Sequence, residues 1–243
     1  MYPVKFDNIS KNYSGKKILD NINFHIEENK ITSIIGRSGS GKSTILKTIN
    51  GLVKPSSGKV IVFDNEIDYD RIHDLRLQIG YSVQGTGLFP HMNVNENITI
   101  LSRLQKNWSK NKIEKRAEHL MHLVSLPFDF KTKYPFQLSG GEQQRVGICR
   151  AMMLNPKIFL LDEAFGALDP TTKNEIHIEL LKIQKTEPRT IVLVTHDLRE
   201  AFKLANKIII IDKGIIQQIG TKEEIMDQPS NDFVRYFIKS QFD

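Results

Sequence analysis

The chain has 243 residues, of which 40% are hydrophobic and 26% charged, with no low-complexity tract; extended disorder is excluded, and one large domain or one core with a sizeable insertion is expected. The formal charge of +6 admits a nucleic acid or an anionic surface as partner, but an anionic small ligand absorbs part of that excess. Lysines and arginines are spread along the sequence rather than gathered into a platform interleaved with aromatics, so no direct nucleic acid contact is expected. Cys149 is the only cysteine, which rules out an internal disulfide and reads as a small core residue in a reducing compartment. The start, MYPVKFDNIS, lacks a charged segment followed by an apolar stretch, and no secretion signal is expected. Apolar runs such as IFLL and IIII fall far short of the ~20 residues that cross a bilayer, so a partner must supply any contact with a membrane.

In chain order, VKFDNIS and ILDNINFHI alternate in polarity, as does GKVIVFD after residue 57, and these predict a small antiparallel sheet. KITSIIG, residues 30–36, is a β-rich run entering a glycine loop, and STILKTINGL has helical spacing and ends at a glycine. IGYSVQ, KIFLLD, TIVLVT and KIIIID are continuous apolar runs separated by helical segments, the pattern of a mostly parallel sheet covered on both faces. Between residues 85 and 138 the pattern turns helical. Residues 110–125 place Ile113, Ala117, Leu120, Met121 and Val124 on one face of an amphipathic helix. His119 and His122 stand one turn apart there without a carboxylate or thiol at ligand spacing, and no metal site is expected.

GRSGSGKST, residues 36–44, satisfies the phosphate-loop pattern with a strand before it and a helix after it. Gly36, Gly39 and Gly41 let the backbone curl so that successive amides face phosphate oxygens, helped by the positive end of the following helix. Lys42 is placed to reach the β- and γ-phosphates and the Ser43 hydroxyl to bind Mg2+, with Arg37, Ser38, Ser40 and Thr44 completing the loop around ATP. A structural turn explains the glycines but not the lysine. KIFLLDEA, residues 157–164, then delivers two carboxylates at the end of a buried strand: Asp162 to hold magnesium through water, Glu163 to polarise the attacking water. Adjacent acids could otherwise be a helix cap; the phosphate loop favours the functional reading. YPFQLSGGEQQR, residues 134–145, is a second glycine turn ahead of a helix beginning near Glu142, and it looks like a further anion-binding turn.

The phosphate loop, LSGGEQQR, DEAFGALD and VLVTHD, in this order and spacing, resemble the ATP-binding cassette (ABC) ATPases over essentially the whole chain. The resemblance implies an α/β fold: a P-loop NTPase core with a mostly parallel sheet, a small antiparallel β subdomain and an inserted α-helical subdomain. The expected division is residues 1–84 and 151–243 for the core and 85–150 for the helical part. In this family two copies face each other head to tail, and each ATP lies between one copy's phosphate loop and the other's signature turn. Ser139, Gly140, Gly141, Glu142 and Gln143 would therefore act on the partner's ATP. By the same resemblance Tyr13 stacks on adenine, Gln84 touches Mg2+ and the attacking water, Asp169 lies at the dimer seam, and His196 contacts the γ-phosphate. Ala164 departs from the proline common in the family after the acidic pair, which implies altered loop stiffness with the carboxylates retained.

A single cassette without a membrane span resembles the separate ATPase subunit of a bacterial-type transporter. GTGLFPHMNVNENI and FGALDP are similar to uptake systems, in particular those for glycine betaine and related quaternary amines, although the sequence ends soon after the core, without the regulatory extension of some osmoprotectant cassettes. Nitrate, sulfonate, amino-acid and polyamine uptake stay open at this point. The resemblance implies integral membrane permease subunits, whose short helix would dock against Leu88, Phe89, Pro90, His91 and Met92, and a solute-binding protein. The location implied is the cytoplasmic side of the membrane. A soluble ABC ATPase serving assembly or nucleic acid is the alternative. A scaffold that binds ATP without hydrolysing it is disfavoured by the complete set of Glu163, Gln84 and His196.

Overall fold

The computed structural model describes residues 2–85, 87–104 and 108–242, the side chain of Leu104 excepted; Thr86 of the GTGLFP stretch lies outside the described residues. In chain order the elements are β1 (Val4–Tyr13), β2 (Lys16–Ile26), β3 (Ile31–Ile35), α1 (Lys42–Ile49), β4 (Ser57–Val62), β5 (Asn65–Glu66) and α2 (Ile72–Leu77). They continue with β6 (Ile79–Ser82), α3 (Val94–Thr99), α4 (Lys110–Leu123), α5 (Gly140–Met152), β7 (Ile158–Asp162) and α6 (Pro170–Thr186). The last are β8 (Thr190–Thr195), α7 (Leu198–Leu204), β9 (Lys207–Asp212), β10 (Ile215–Gly220), α8 (Lys222–Asp227) and α9 (Asp232–Phe242). Two compact units result, Met1–Arg76 with Arg189–Asp243, and Leu77–Pro188. The helical stretch 85–150 falls in the second unit, together with β6, β7 and α6.

In the first unit the alternating segments form the antiparallel sheet β2-β1-β4-β5. Ser14 and Gly15, between β1 and β2, both have positive φ (46° and 83°), the two-residue turn whose twist suits a hairpin. The other sheet of this unit runs β10-β9-β3-β8, with β3 parallel to both neighbours. All five residues of β3 are buried, which is why ITSII reads as a run without alternation. β10 is an antiparallel addition that the apolar-run pattern did not announce, because IIQQIG is half-exposed. Its hairpin turn, Lys213–Gly214, again has both φ positive. Ile35, Ile208 and Ile210 face Leu198 and Ala201 of α7, Ile225 of α8, and Val234 and Phe237 of α9. Burying each such isoleucine contributes about 1.5–3 kcal/mol and fixes the strand ends from which the loops depart.

In the second unit β6 and β7 pair in parallel, and α5 packs against α3, α4 and β6. α4 follows the expected face: Ala117, Leu120, Met121 and Leu123 are buried, with the Ser109 side chain accepting from the Lys112 amide at its start. The Cys149 thiol is buried in α5 and donates to the Leu120 carbonyl at 3.3 Å; burial pushes its pKa up, so it is a core group. FDFKTKYPF, residues 128–136, is a local exception to the spread of basic residues. There Lys131 and Lys133 lie over the rings of Phe128 and Phe130, at 4.5 and 3.1 Å from the centroids. Among the described residues no helix is long and apolar enough to cross a membrane.

Candidate nucleotide site

The phosphate loop leaves the buried end of β3. A Cβ on Gly36 would lie 2.0 Å from the Ile211 carbonyl oxygen, so only glycine lets the chain pass β9 there. Gly41 has φ +104°, and a Cβ on it would come within 2.7 Å of Leu19 Cδ2; this conformation and this approach both require glycine. Lys42 is 5% exposed, and its ammonium donates to the carbonyls of Gly36 at 2.9 Å and Arg37 at 3.0 Å. A buried ammonium needs such partners, and in return it closes the loop into a ring. The Ser40 carbonyl accepts from the Gly214 amide at 3.1 Å, so the β9–β10 turn braces the loop from below. Ser40 Oγ is buried with no hydrogen-bond partner, and no side chain caps the first turn of α1. The uncapped amides at the start of α1 suit an oxyanion, so the loop fits a phosphate-bearing ligand.

Ser38 and Gly39 are exposed, Ser43 and Thr44 half-buried. The guanidinium of Arg37 stands 5.3 Å from the ring of Phe233 on α9. Tyr13 is 46% exposed at the end of β1, with Lys11 Nζ 4.8 Å from its ring centre. His196 is exposed just beyond β8. It is displayed there because Asp197 turns the chain at once into α7, its carboxylate accepting from the Arg199 and Glu200 amides.

In the second unit, Asp162 ends β7 and is 1% exposed; Tyr81 Oη of β6 donates to its Oδ2 at 3.1 Å. Burial and the Asp162 charge both push the Tyr81 phenol up, so it stays a donor. Glu163 is half-buried with φ +49°, a left-handed conformation unusual for a non-glycine residue. Gln84, just after β6, donates from Nε2 to Glu163 Oε2 at 3.2 Å. Ala164 and Phe165 are buried, and Phe165 meets His177 edge to face at 4.9 Å. Asp169 caps α6, its carboxylate accepting from the Thr172 amide at 3.0 Å ahead of Pro170. Hydrogen bonding from the Thr172 side chain, and then from its amide, holds the Asp169 pKa below the usual value.

The signature helix starts at Gly140, earlier than the expected start near Glu142, because Ser139 and Glu142 form a reciprocal cap. Ser139 Oγ accepts from the Glu142 amide at 3.3 Å, and Glu142 Oε2 accepts from the Ser139 amide at 2.7 Å. Burial opposes ionisation of Glu142, but the Ser139 hydrogen bonds, with Arg145 and Lys133 nearby, outweigh it and hold the carboxyl below its ordinary value. The Ser139 hydroxyl also hydrogen-bonds the Glu142 carboxylate, so the cap is closed from both sides. A Cβ on Gly140 would meet nothing within 4 Å, so this turn is open outward, whereas Gly141 lies against Ala167 and Leu168. Gln143 Nε2 donates to the Leu138 carbonyl at 3.1 Å.

Ahead of the signature, Asn97 organises the stretch 88–92: its Oδ1 accepts from the Phe89 amide, and its Nδ2 donates to the carbonyls of Phe89, Met92 and Asn93. Phe89 remains 41% exposed, with the Arg150 guanidinium 5.6 Å from its ring. Within the second unit, contacts thus gather Gln84, Glu163, Asp162 and the signature helix; Tyr13, the phosphate loop and His196 belong to the first. Tyr81, Gln144, Leu19 and Gly214 escaped the sequence reading. Only Gly214, in a Lys-Gly turn between apolar runs, carries a local signal.

The sequence matches the ABC transporter family over residues 19–166. It is 44% identical over 234 residues to the choline transport ATP-binding protein OpuBA of Bacillus subtilis (strain 168), covering 96% of this chain and 61% of that protein. With the glycine betaine uptake system ATP-binding protein YehX of Escherichia coli (strain K12) it shares 43% identity over 234 residues, 96% of this chain and 76% of the relative. The fold superposes with a TM-score of 0.84 and 34% identity on the dimeric, post-hydrolysis structure of the ATP-binding cassette MJ0796 bound to ADP and Pi, covering 90% of this chain and 98% of that one. The chain belongs to the ABC transporter family, and its fold is that of the P-loop NTPase cassettes. It spans about three-fifths of the length of OpuBA.

Proposed function

We propose that this chain is the ATP-binding and ATP-hydrolysing subunit of an importer for a quaternary amine osmoprotectant of the glycine betaine, choline or carnitine type. The observation that carries the nucleotide reading is the buried Lys42 ammonium closing a loop that leads into the uncapped start of α1. The names of the relatives support import and the cargo class. Two copies act head to tail on a permease at the cytoplasmic face of the membrane, fed by a solute-binding protein; the dimeric cassette MJ0796 supports the pairing.

In this reading the loop 36–44 binds the triphosphate, with Lys42 on the β- and γ-phosphates, and Tyr13 stacks on adenine, a contact worth about 1–3 kcal/mol. Ser43, Asp162 and Gln84 hold Mg2+, whose charge offsets that of the phosphates. Glu163, held by Gln84, takes a proton from the attacking water, and His196 binds the γ-phosphate. The partner's γ-phosphate is met by the Ser139 hydroxyl and the amide end of α5, with Gly140, Gly141, Glu142 and Gln143 shaping that end and Asp169 at the seam. Phe89 and its neighbours in 88–92 receive the permease helix. Loading the chain into vesicles with a quaternary-amine permease tests the assignment. ATP-dependent uptake of glycine betaine, choline or carnitine is expected, and ATP hydrolysis without any such uptake contradicts the cargo class.

A further inference from the structure

Gln144 is a buried amide, 5% exposed, and both ends of its side chain are used on a single loop. Its Nε2 donates to the Glu163 carbonyl at 3.0 Å, and its Oε1 accepts from the Ala167 amide at 3.1 Å. On α5 it stands three residues after Gly141, the spacing that puts two positions on the same helical face. A Cβ on Gly141 would lie 3.3 Å from both the Ala167 carbonyl oxygen and Leu168 Cδ2. That face of α5 is the seat of the loop 163–168. It is bare at Gly141, where the loop backbone comes close, and polar at Gln144, where the loop is held in register. Glu163 enters this seat with φ +49°, a conformation that a side-chain-bearing residue keeps only where its surroundings enforce it. Its carbonyl also accepts from the Gly166 amide at 3.2 Å, so two donors converge on one oxygen.

We propose that Gln144 is a positioning residue for ATP hydrolysis. Its amide fixes the backbone of Glu163 and thereby aims the carboxylate, and it ties that aim to the helix whose Ser139 end addresses the partner's nucleotide. This inference rests on the shared-nucleotide reading above. The chemistry is specific to a primary amide, which donates and accepts at once. Leucine fills the same volume and does neither. An ionised glutamate accepts from the Ala167 amide but confronts the Glu163 carbonyl with another acceptor.

Steady-state hydrolysis by Gln144→Leu and Gln144→Glu, each compared with the parent chain, tests the assignment. Loss of aim without loss of binding lowers kcat by about ten- to a hundredfold in both variants and leaves the KM for ATP within about threefold. A parental kcat in either folded variant, or a KM that rises while kcat holds, overturns the inference. If Gln144→Leu fails to fold by circular dichroism, Gln144→Glu decides, since it keeps the Ala167 contact. ATP-dependent dimerisation of Glu163→Gln is measured in parallel. A dimer there with a parental kcat for the Gln144 variants removes Gln144 alone; absence of the dimer removes the shared-nucleotide reading itself.

Discussion

Gln84 Nε2 and Glu163 Oε2 lie 3.2 Å apart, joining positions 79 residues distant in the sequence. The contact holds one oxygen of the carboxylate that, in the proposed reaction, takes the proton of the attacking water. Glu163→Gln keeps the shape and removes the acceptor, so turnover should fall by on the order of 10² to 10⁴ while ATP binding persists. With Mg2+ and ATP the variant should elute as a trapped dimer in size-exclusion chromatography. Near-normal turnover would take Glu163 out of the reaction.

Ser139 sits exposed at the open mouth of α5, beside a glycine with nothing within 4 Å of its missing side chain. In the Glu163→Gln background, adding Ser139→Arg should abolish the ATP-dependent dimer and leave nucleotide binding by the monomer within a few-fold. The lost cap costs about 1 kcal/mol of helix stability, a modest drop in thermal midpoint. Binding and elution profiles separate the two effects, and an intact dimer would argue against a signature turn at the interface.

Tyr81 donates to Asp162 Oδ2 from the neighbouring strand, and burial keeps its phenol protonated. Tyr81→Phe deletes the hydroxyl that donates to this carboxylate and so removes one of the contacts that orient it. The Mg2+ concentration for half-maximal hydrolysis should rise about tenfold, as for other groups that orient a metal ligand. Titrating Mg2+ at saturating ATP measures this; an unchanged midpoint would leave Tyr81 a packing residue only.

Asp169 is held below its ordinary pKa by hydrogen bonding from Thr172. A depressed folded pKa contributes stability that is present above the unfolded value and lost as pH falls through the folded one. Asp169→Asn preserves a capping oxygen without the titration. From about pH 7 down past about pH 4, the parent should lose thermal stability faster than the variant. Parallel melting curves across that range would show that the cap does not titrate.

The phosphate loop was legible because its chemistry is local: a buried strand, three spaced glycines and a lysine within nine residues, followed by α1 where the spacing put it. The same holds for β7, whose run IFLLD ends on the acid it presents, and for the amphipathic α4. Tyr81 and Gln144 were invisible because their partners are 81 and 19 residues away, and nothing around them marks a donor aimed at a carboxylate or a loop. The helix start at Gly140 was missed for another reason. Ser139 and Glu142 spell a capping box in plain sequence, but two glycines inside the first turn argue against a helix until the cap is seen to hold them.

The split active centre is tested most directly by a crystal structure of Glu163→Gln with Mg2+ and ATP. The account predicts two triphosphates, each touched by Lys42 of one protomer and by Ser139 of the other. Finding Lys42 and Ser139 of the same protomer on one triphosphate, or each ATP enclosed by a lone chain, would contradict it.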